Sequence, residues 1–401
     1  MDGEYRKVDA GYMRPIANLL TRPIDSWSFL GGVLLIGLCG YLLSNFLPLP
    51  SKAMNNVFYV GCAVPALAWG VMHRSEVLGW LRTGFSLWLF LLLFAISALL
   101  MGDLSAVKAV FYVFLLGLTV FALHRWDARA EQWLFSWLAA ISVVALGWAT
   151  YTWVELYQST SMPQRIILWS KANPNYMALM IVSAWVWLWE FQLEPRVRRH
   201  GNLAYLLVTV SFILLAAWST IPFQSRTALM GFGAYLLLKL VINNRRWYLL
   251  GGLLVVAAVG WLLGWHLALD ARGFSYRPEI WLDTWQRLTQ VCGLLAGCGN
   301  DDYVFAGRFA HAHNAYLMIL YEHGLLVLLS FGYFAVMFFG EGLRYRSRWM
   351  LVATVGWVAG LTTTGGVVHS PQPYWIYFWM PTFLAMLECW DYRQKLSTPH
   401  A

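Results

Sequence analysis

Charge is scarce in this chain of 401 residues: only 12% of the residues are Asp, Glu, Lys or Arg, whereas 59% are hydrophobic. The mean hydropathy is +0.55. A single soluble core of this size could not hide so much apolar surface from water, so the composition excludes a soluble globular protein. Uncharged, mostly apolar runs of about 17–25 residues recur along the chain, and each can cross a bilayer core of roughly 30 Å. The composition therefore predicts a multi-pass membrane protein.

Several common signatures are absent. The five cysteines show no metal-ligand spacing. There is no glycine-rich phosphate loop, no nucleophile elbow and no Cys–His pair of a protease, which argues against P-loop and hydrolase chemistry. The N-terminus lacks the pattern of a cleaved signal peptide, so none is expected. Cys292 and Cys298 share one polar loop and are either free thiols or, in an oxidising compartment, a disulfide.

The hydrophobic runs predict an all-α integral membrane protein with about twelve transmembrane helices, in which residues 1–401 form one polytopic domain. Lys and Arg concentrate in alternate loops, which predicts a cytoplasmic N-terminal segment (1–26) and a cytoplasmic tail (391–401). The net charge of +8 then reflects topology and contact with anionic membrane lipids, not nucleic acid binding. The predicted spans are centred on Gly37, Val64, Leu93, Leu115, Val144, Val182, Phe212, Tyr235, Val256, Val327, Ala359 and Ala385.

One outer loop, residues 266–314, is much longer than the others. Its stretch RPEIWLDTWQRLTQ predicts an amphipathic helix lying on the membrane, because its apolar residues recur at helical spacing. These residues are Ile280, Trp281, Trp285 and Leu288. The loop also contains Arg272 and Arg277, two cations that we expect to contribute to a site.

Another arginine, Arg226, lies close to the membrane in the stretch STIPFQSRTALMG. An arginine at membrane depth costs a few kcal/mol unless it is paired or faces water. Simple extension of the side chain to the interface is one interpretation, but the polar neighbours Gln224, Ser225 and Thr227 favour a polar site. With Arg277, whose planar guanidinium suits phosphate oxygens, Arg226 indicates an anionic substrate.

The stretch HAHNAYLMILYEHGLL places two histidines and Asn314 before an apolar run. His311 and His313 allow two interpretations, a metal site or a general base beside a substrate hydroxyl. Asp301 and Asp302 would suit a divalent cation, but a helix cap or a solvated loop is the more ordinary interpretation. We predict no metal.

The stretch WSKANPNYMAL opens the sixth predicted span. Pro174 is typical of a helix start, and Asn173 is its predicted N-cap. Lys171 and Asn175 lie close to this start on the outer side, where each can reach a polar substrate.

These pieces, in this order, resemble the O-antigen ligase and polymerase superfamily. The family's hallmark has the form HN-x-x-L-x-x-x-x-E-x-G, which is met here by His313, Asn314, Leu317, Glu322 and Gly324. The motifs cover residues 170–340, whereas the first five spans match only in hydropathy. The number of spans and the two cytoplasmic ends also fit the ligase layout.

The resemblance implies an inverting, metal-independent glycosyltransferase without cofactors at the periplasmic face of a bacterial inner membrane. Its donor is a glycan on undecaprenyl diphosphate, and its acceptor is lipid A–core. His313 takes the position of the essential base, and Arg226 and Arg277 take the positions that bind the diphosphate. Contributions to substrate binding are expected from His311, Asn314, Glu322, Lys171, Asn175, Gln224 and Arg272, of which Asn314 also caps a helix and Glu322 also holds an arginine or a loop.

Three alternatives stay open. An O-antigen polymerase shares the donor but uses another lipid-linked glycan as acceptor, and a protein O-oligosaccharyltransferase of the same superfamily transfers to protein. A lipid-linked glycan transporter belongs to another class, and transporters usually show paired halves with charges buried mid-span. The candidate residues here gather on one side of the membrane, which favours an enzyme.

Overall fold

The computed structural model describes residues 26–160, 164–168, 173–243, 246–262, 276–301, 303–363 and 366–397. Most of the predicted N-terminal segment, the beginning of the 266–314 loop, Lys171, Arg272 and Asp302 lie outside these ranges. Within them the chain is helical, and the one pairing of extended backbone is an isolated bridge between Phe305 and Phe309. The all-α fold predicted from the sequence is thus confirmed.

Fourteen helical elements follow one another in the described ranges, several of them with a short π-helical turn. The first seven are α1 (Ser26–Phe46), α2 (Ser51–Met72), α3 (Arg74–Thr83), α4 (Phe85–Leu100), α5 (Leu104–Trp126), α6 (Ala128–Thr160) and α7 (Pro174–Val197). The others are α8 (Asn202–Trp218), α9 (Arg226–Ile242), α10 (Arg246–Leu262), α11 (Arg277–Arg287), α12 (Ala315–Arg344), α13 (Arg348–Ala359) and α14 (Met380–Ser397). Because α14 is continuous to Ser397, the first part of the predicted cytoplasmic tail is helical.

Six of the described helices are long and apolar enough to cross a membrane, and a seventh span arises if α3 and α4, which meet at 88°, count as one. Helices α8 and α13 are apolar but shorter. All twelve predicted centres lie within helices, although α13 ends at Ala359, the centre of the eleventh. Twelve spans therefore stays a prediction, and the membrane character of the chain is confirmed.

Helix α13 lies at the centre of the helical bundle. With 12 residues it is about 18 Å long, and nearly all of its side chains are buried against α7, α9, α14 and the turn that precedes α14. A Cβ on Gly231 of α9 would lie 2.7 Å from the carbonyl oxygen of Val355. This close approach of two backbones requires glycine and fixes the position of α9 on α13.

Polar contacts tie the helices together at the end that the sequence assigns to the cytoplasm. Lys239 Nζ of α9 lies 2.6 Å from Glu190 Oε2 and 2.8 Å from Glu194 Oε2, two carboxylates of α7. All three side chains are buried. The opposite end of the bundle contains the start of α7, the start of α9, the end of α13 and the start of α12, and the candidate residues lie there.

Candidate active site

Arg226 is the first residue of α9, and its backbone is fixed by a compact turn after α8. The N–H of Ser225 donates to the carbonyl of Thr220 at 3.0 Å, and Ser225 Oγ accepts from the N–H of Ala228, so Ser225 is the N-cap. Gln224 is 3% exposed and has a left-handed backbone with φ +45°. The side chain of Arg226 thus begins at a capped helix terminus, and the positive end of the helix dipole favours an anion nearby.

Arg277 approaches the start of α9 through one residue, Thr362, in the turn after α13. Arg277 Nη2 donates to the carbonyl oxygen of Thr362 at 3.0 Å, and Thr362 Oγ1 is 2.8 Å from Thr227 Oγ1. Since Thr227 follows Arg226 directly, these two bonds bring both predicted arginine positions to the same end of α13.

His313 lies beside Arg277, immediately before the cap of α12. Its ring contacts the ring of Phe309 edge to face, with the two ring centroids 5.7 Å apart. The centroid of the Phe309 ring lies 5.8 Å from that of Tyr276, the residue before Arg277. Burial, then the positive charge of Arg277 and the nearby His311, lower the pKa of His313 below its usual value of 6.5. The imidazole is therefore neutral at pH 7 and able to accept a proton.

His311 has a second histidine neighbour, His369, which the sequence analysis did not single out. Burial lowers the pKa of His311, and burial together with His311 lowers the pKa of His369 to about 4. The Nε2 atom of His369 accepts from the N–H of Gly366 at 3.0 Å. The pattern around His369 in the sequence offered no signal, because a lone histidine after a glycine pair fits many loops.

The two predicted asparagines have structural partners. Asn314 is the N-cap of α12, because its Oδ1 accepts from the N–H groups of Tyr316 and Leu317, both at 3.0 Å. Asn175 accepts from Arg165 Nη2 at 3.0 Å. The predicted cap by Asn173 at the start of α7 is confirmed by its bond to the N–H of Asn175 at 3.0 Å.

Arg165 is a residue that the sequence reasoning missed. Besides its bond to Asn175, its Nε donates at 3.0 Å to the carbonyl oxygen of Phe223, the residue before Gln224. The side chain thus lies against the turn that begins α9, close to the Arg226 segment. The available signal was a basic residue in the outer loop before the sixth span, where basic residues are few.

Glu322 lies near the end of the first segment of α12, which begins after the N-cap Asn314. Helix α12 breaks at Gly324, which has φ +80°, and eight residues separate Asn314 from Glu322, about 12 Å along a helix. Glu322 Oε2 lies 3.8 Å from His323 Nε2, and the carboxylates of Asp103 and Asp301 also act on Glu322. The expected role of Glu322 in substrate binding stays a prediction.

The backbone at Glu322 and Gly324 anchors the end of the long loop. Gly299 N–H donates to the carbonyl of Glu322 at 3.1 Å, and Leu325 N–H donates to that of Leu294 at 2.9 Å. Cys292 and Cys298 form a disulfide across this segment, which settles the alternative left open by the sequence.

No protein-family model matches the chain. The chain is 25% identical to an O-antigen ligase of Pseudomonas aeruginosa over 351 residues, which are 82% of this chain and 84% of that relative. The predicted resemblance to O-antigen ligases is confirmed. The similarity to this O-antigen ligase covers far more than residues 170–340, which carry the motifs, and so includes most of the early spans.

One group of side chains in the described ranges is close enough to approach a metal ion: Cys292, Cys298 and Asp301. Because both sulfur atoms belong to the disulfide, neither is a thiolate that can bind a metal. This group is therefore a poor ligand set. Arg277 instead places a fixed positive charge beside His313, and Arg226 lies at the same end of α13.

Proposed function

We propose that this chain is an O-antigen ligase that transfers a glycan from undecaprenyl diphosphate to lipid A–core, at the periplasmic face of the inner membrane. The observation that carries the proposal is that Arg277, whose charge acts on His313, contacts the same turn after α13 as the start of α9, where Arg226 lies. The similarity to the Pseudomonas aeruginosa ligase favours this acceptor over a polymerase or a protein glycosyltransferase.

The reaction needs a base and a means to stabilise a leaving diphosphate. An acceptor hydroxyl attacks C1 of the donor sugar and gives its proton to the imidazole of His313. The bond between C1 and the diphosphate oxygen breaks, undecaprenyl diphosphate leaves, and the anomeric configuration inverts. Arg226 and Arg277 neutralise the charge that develops on the leaving oxygen, which is the role a divalent cation has in many other transferases.

The disulfide supports a periplasmic site, and helix α11 supports a site at the membrane surface. Disulfides form in oxidising compartments such as the periplasm, and the Cys292–Cys298 bond lies in the loop that ends at His313. The apolar side chains Leu282 and Trp285 of α11 are 58% and 46% exposed, while Ile280 is buried against the protein. Helix α11 can therefore contact lipid on one face and cover the entry of a polyprenyl chain on the other.

A gene deletion followed by a gel of the lipopolysaccharide tests the proposal. Loss of a ligase leaves bare lipid A–core with accumulated lipid-linked polymer. Core that carries a single repeat identifies a polymerase instead, and donor trapped on the cytoplasmic leaflet identifies a transporter.

Complementation with variants then tests the roles of the residues. His313→Asn, Arg226→Gln and Arg277→Gln should fail to restore capped lipopolysaccharide, whereas Arg308→Gln should restore it. Arg308 is a matched control because it is an exposed arginine of the same loop. Normal capping by the His313 variant, at normal protein levels, would contradict the role of the base.

A further inference from the structure

The turn formed by residues 360–362 contacts each of the three segments that carry the proposed catalytic residues. It continues α13 with three backbone bonds, in which the N–H groups of Gly360, Leu361 and Thr362 donate to carbonyls of α13 at 3.0–3.1 Å. The letters LTT of residues 361–363 carry no motif in the sequence, but the contacts of this turn reach three other segments.

The first contact fixes the start of α12. The N–H of Ala315, two residues after His313, donates to the carbonyl oxygen of Gly360 at 2.8 Å. The Tyr316 hydroxyl bonds to the carbonyl of Trp357, and a Cβ on Gly360 would lie 2.7 Å from that hydroxyl oxygen. The turn therefore needs glycine at 360, and the backbone next to His313 takes its position from α13.

The second contact fixes the start of α9. The hydroxyl groups of Thr227 and Thr362 are 2.8 Å apart, and the two residues are only 1% and 6% exposed. A bond between two buried hydroxyls has no water to replace it when one is removed. The bond between Thr227 and Thr362 holds the first turn of α9 in one orientation about the helix axis. It therefore also orients Arg226, the residue immediately before Thr227.

The third contact fixes Arg277. Its Nη2 donates to the carbonyl oxygen of Thr362, which is a backbone atom and cannot rotate away.

We propose that the 360–362 turn is the positioning element of the active site, and that Thr362 is a positioning residue that sets Arg226 relative to Arg277. This inference rests on the proposed transferase function and deepens it. Helix α13 is buried among four neighbouring elements. The turn that continues it therefore holds the segments of Arg226, Arg277 and His313 in fixed positions relative to one another. Displacement of reacting groups by about 1 Å can cost 100-fold in rate, so the turn is expected to affect turnover more than substrate affinity.

The test is a transfer assay with purified variants in detergent. The donor is undecaprenyl-diphosphate-linked O-antigen extracted from the ligase deletion strain, and the acceptor is lipid A–core from the same strain. Thr362→Val removes the hydroxyl and keeps the shape, and we expect kcat to fall at least tenfold with KM changed less than threefold. Thr362→Ser restores the hydroxyl and should recover most of the rate.

Two further variants separate positioning from folding. Thr354→Val is the matched control, since Thr354 is a buried threonine of α13, the helix that precedes the turn, and its hydroxyl donates to the carbonyl of Met350 within that helix. The kcat of this variant should stay within twofold of wild type. Thr227→Val removes the same bond from the other side. If the bond matters, the double variant with Thr362→Val should be no slower than the slower single variant.

Each outcome decides the inference. A folded Thr362→Val enzyme with wild-type kcat, alongside an inactive His313→Asn enzyme, overturns the inference and leaves the proposed function intact. Equal loss in Thr362→Ser and Thr362→Val also overturns it, because the hydroxyl is then not the cause. If Thr362→Val does not fold, Thr227→Val alone decides by the same criterion. Wild-type protein without transfer activity removes the proposed function and this inference with it.

Discussion

At the scale of single residues, two members of the candidate site have a left-handed backbone, Gln224 at φ +45° and His313 at φ +50°. Residues other than Gly adopt this conformation uncommonly, although Asn, Asp and His do so more often than the rest, and it costs roughly 1 kcal/mol. Surrounding structure must impose it, and such residues concentrate at functional sites. The strain at His313 is therefore consistent with a residue kept for its chemistry.

This backbone gives a prediction for His313. His313→Gly and His313→Asn suit a positive φ, so both variants should unfold at the wild-type temperature or slightly above it, while transfer falls at least 100-fold. Thermal unfolding in detergent and the transfer assay measure the two effects. A transfer rate near that of wild type in either variant would remove His313 from the mechanism, whereas a fall in stability would contradict the argument from strain.

A second prediction concerns the pH dependence. His313 can accept a proton only when its imidazole is unprotonated. Because the pKa of His313 is lowered from 6.5, the imidazole is still largely unprotonated at pH 6.5. Activity should therefore be lost only as the pH falls through the lowered pKa. Removal of the Arg277 charge in Arg277→Gln removes one cause of the lowering, and the acidic limb of the residual activity should move to higher pH. Arg277→Lys keeps the charge and serves as control. An unmoved limb in Arg277→Gln would contradict the electrostatic contact.

At the scale of elements, the break in helix α12 at Gly324 gives a prediction about stability. Gly324 has φ +80°, and a Cβ there would collide with the carbonyl oxygen of Leu295 in the disulfide-bonded segment. Gly324→Ala should therefore destabilise the protein by about 3 kcal/mol or more, because the backbone is strained and two segments must separate.

The matched control for that change lies in the same helix. Gly332 has no neighbouring heavy atom within 4 Å of a Cβ position, so Gly332→Ala should be neutral or stabilise by about 0.5–1 kcal/mol. Thermal unfolding of the two variants in one detergent compares them directly. Equal stability of both would show that the break at Gly324 is not required.

The elements also show how far sequence reasoning reaches. The cap by Asn314, the helix start at Pro174 and the helix after Arg277 were predictable, because local spacing and capping chemistry decide them. The exposure of Trp285 was not predictable. Helical spacing groups Trp285 with Ile280 among the apolar residues, but in the structure Ile280 and Thr284 are buried and Trp285 is exposed. Contacts made by backbone atoms, such as the Thr362 carbonyl with Arg277, leave no pattern in a sequence, and the 360–362 turn was therefore missed.

At the scale of the whole molecule, the end of the bundle opposite the site is held by a buried charge cluster. Lys239 contacts Glu190 and Glu194, and the hydroxyls of Tyr235 and Tyr205 donate to the same two carboxylates at 2.6 and 3.0 Å. The cluster connects α7, α8 and α9, so the helices that present the site at one end are fixed relative to each other at the other end.

Removal of the lysine tests this cluster. Lys239→Met leaves two buried carboxylates without the ammonium and should destabilise the protein by about 3–5 kcal/mol. The control is Glu76→Gln, which breaks the pair of Glu76 with Arg125 at 2.7 Å, where both side chains are about one-third exposed; an exposed pair contributes about 0–1 kcal/mol. Similar unfolding temperatures for the two variants would show that the cluster does not stabilise the bundle.

The last prediction concerns the orientation of the whole bundle. The distribution of Lys and Arg predicts that α6 ends outside the cytoplasm and that the turn between α7 and α8 lies inside it. Ser159 and His200 are exposed residues at these two places. We expect the native cysteines to react little with a reagent in water, because Cys62 and Cys389 are buried, Cys39 is half-buried and the other two form a disulfide. Ser159→Cys should react with a membrane-impermeant maleimide in intact spheroplasts, and His200→Cys only after permeabilisation. The reverse pattern would place the site face in the cytoplasm, where neither the disulfide nor a periplasmic acceptor fits the mechanism.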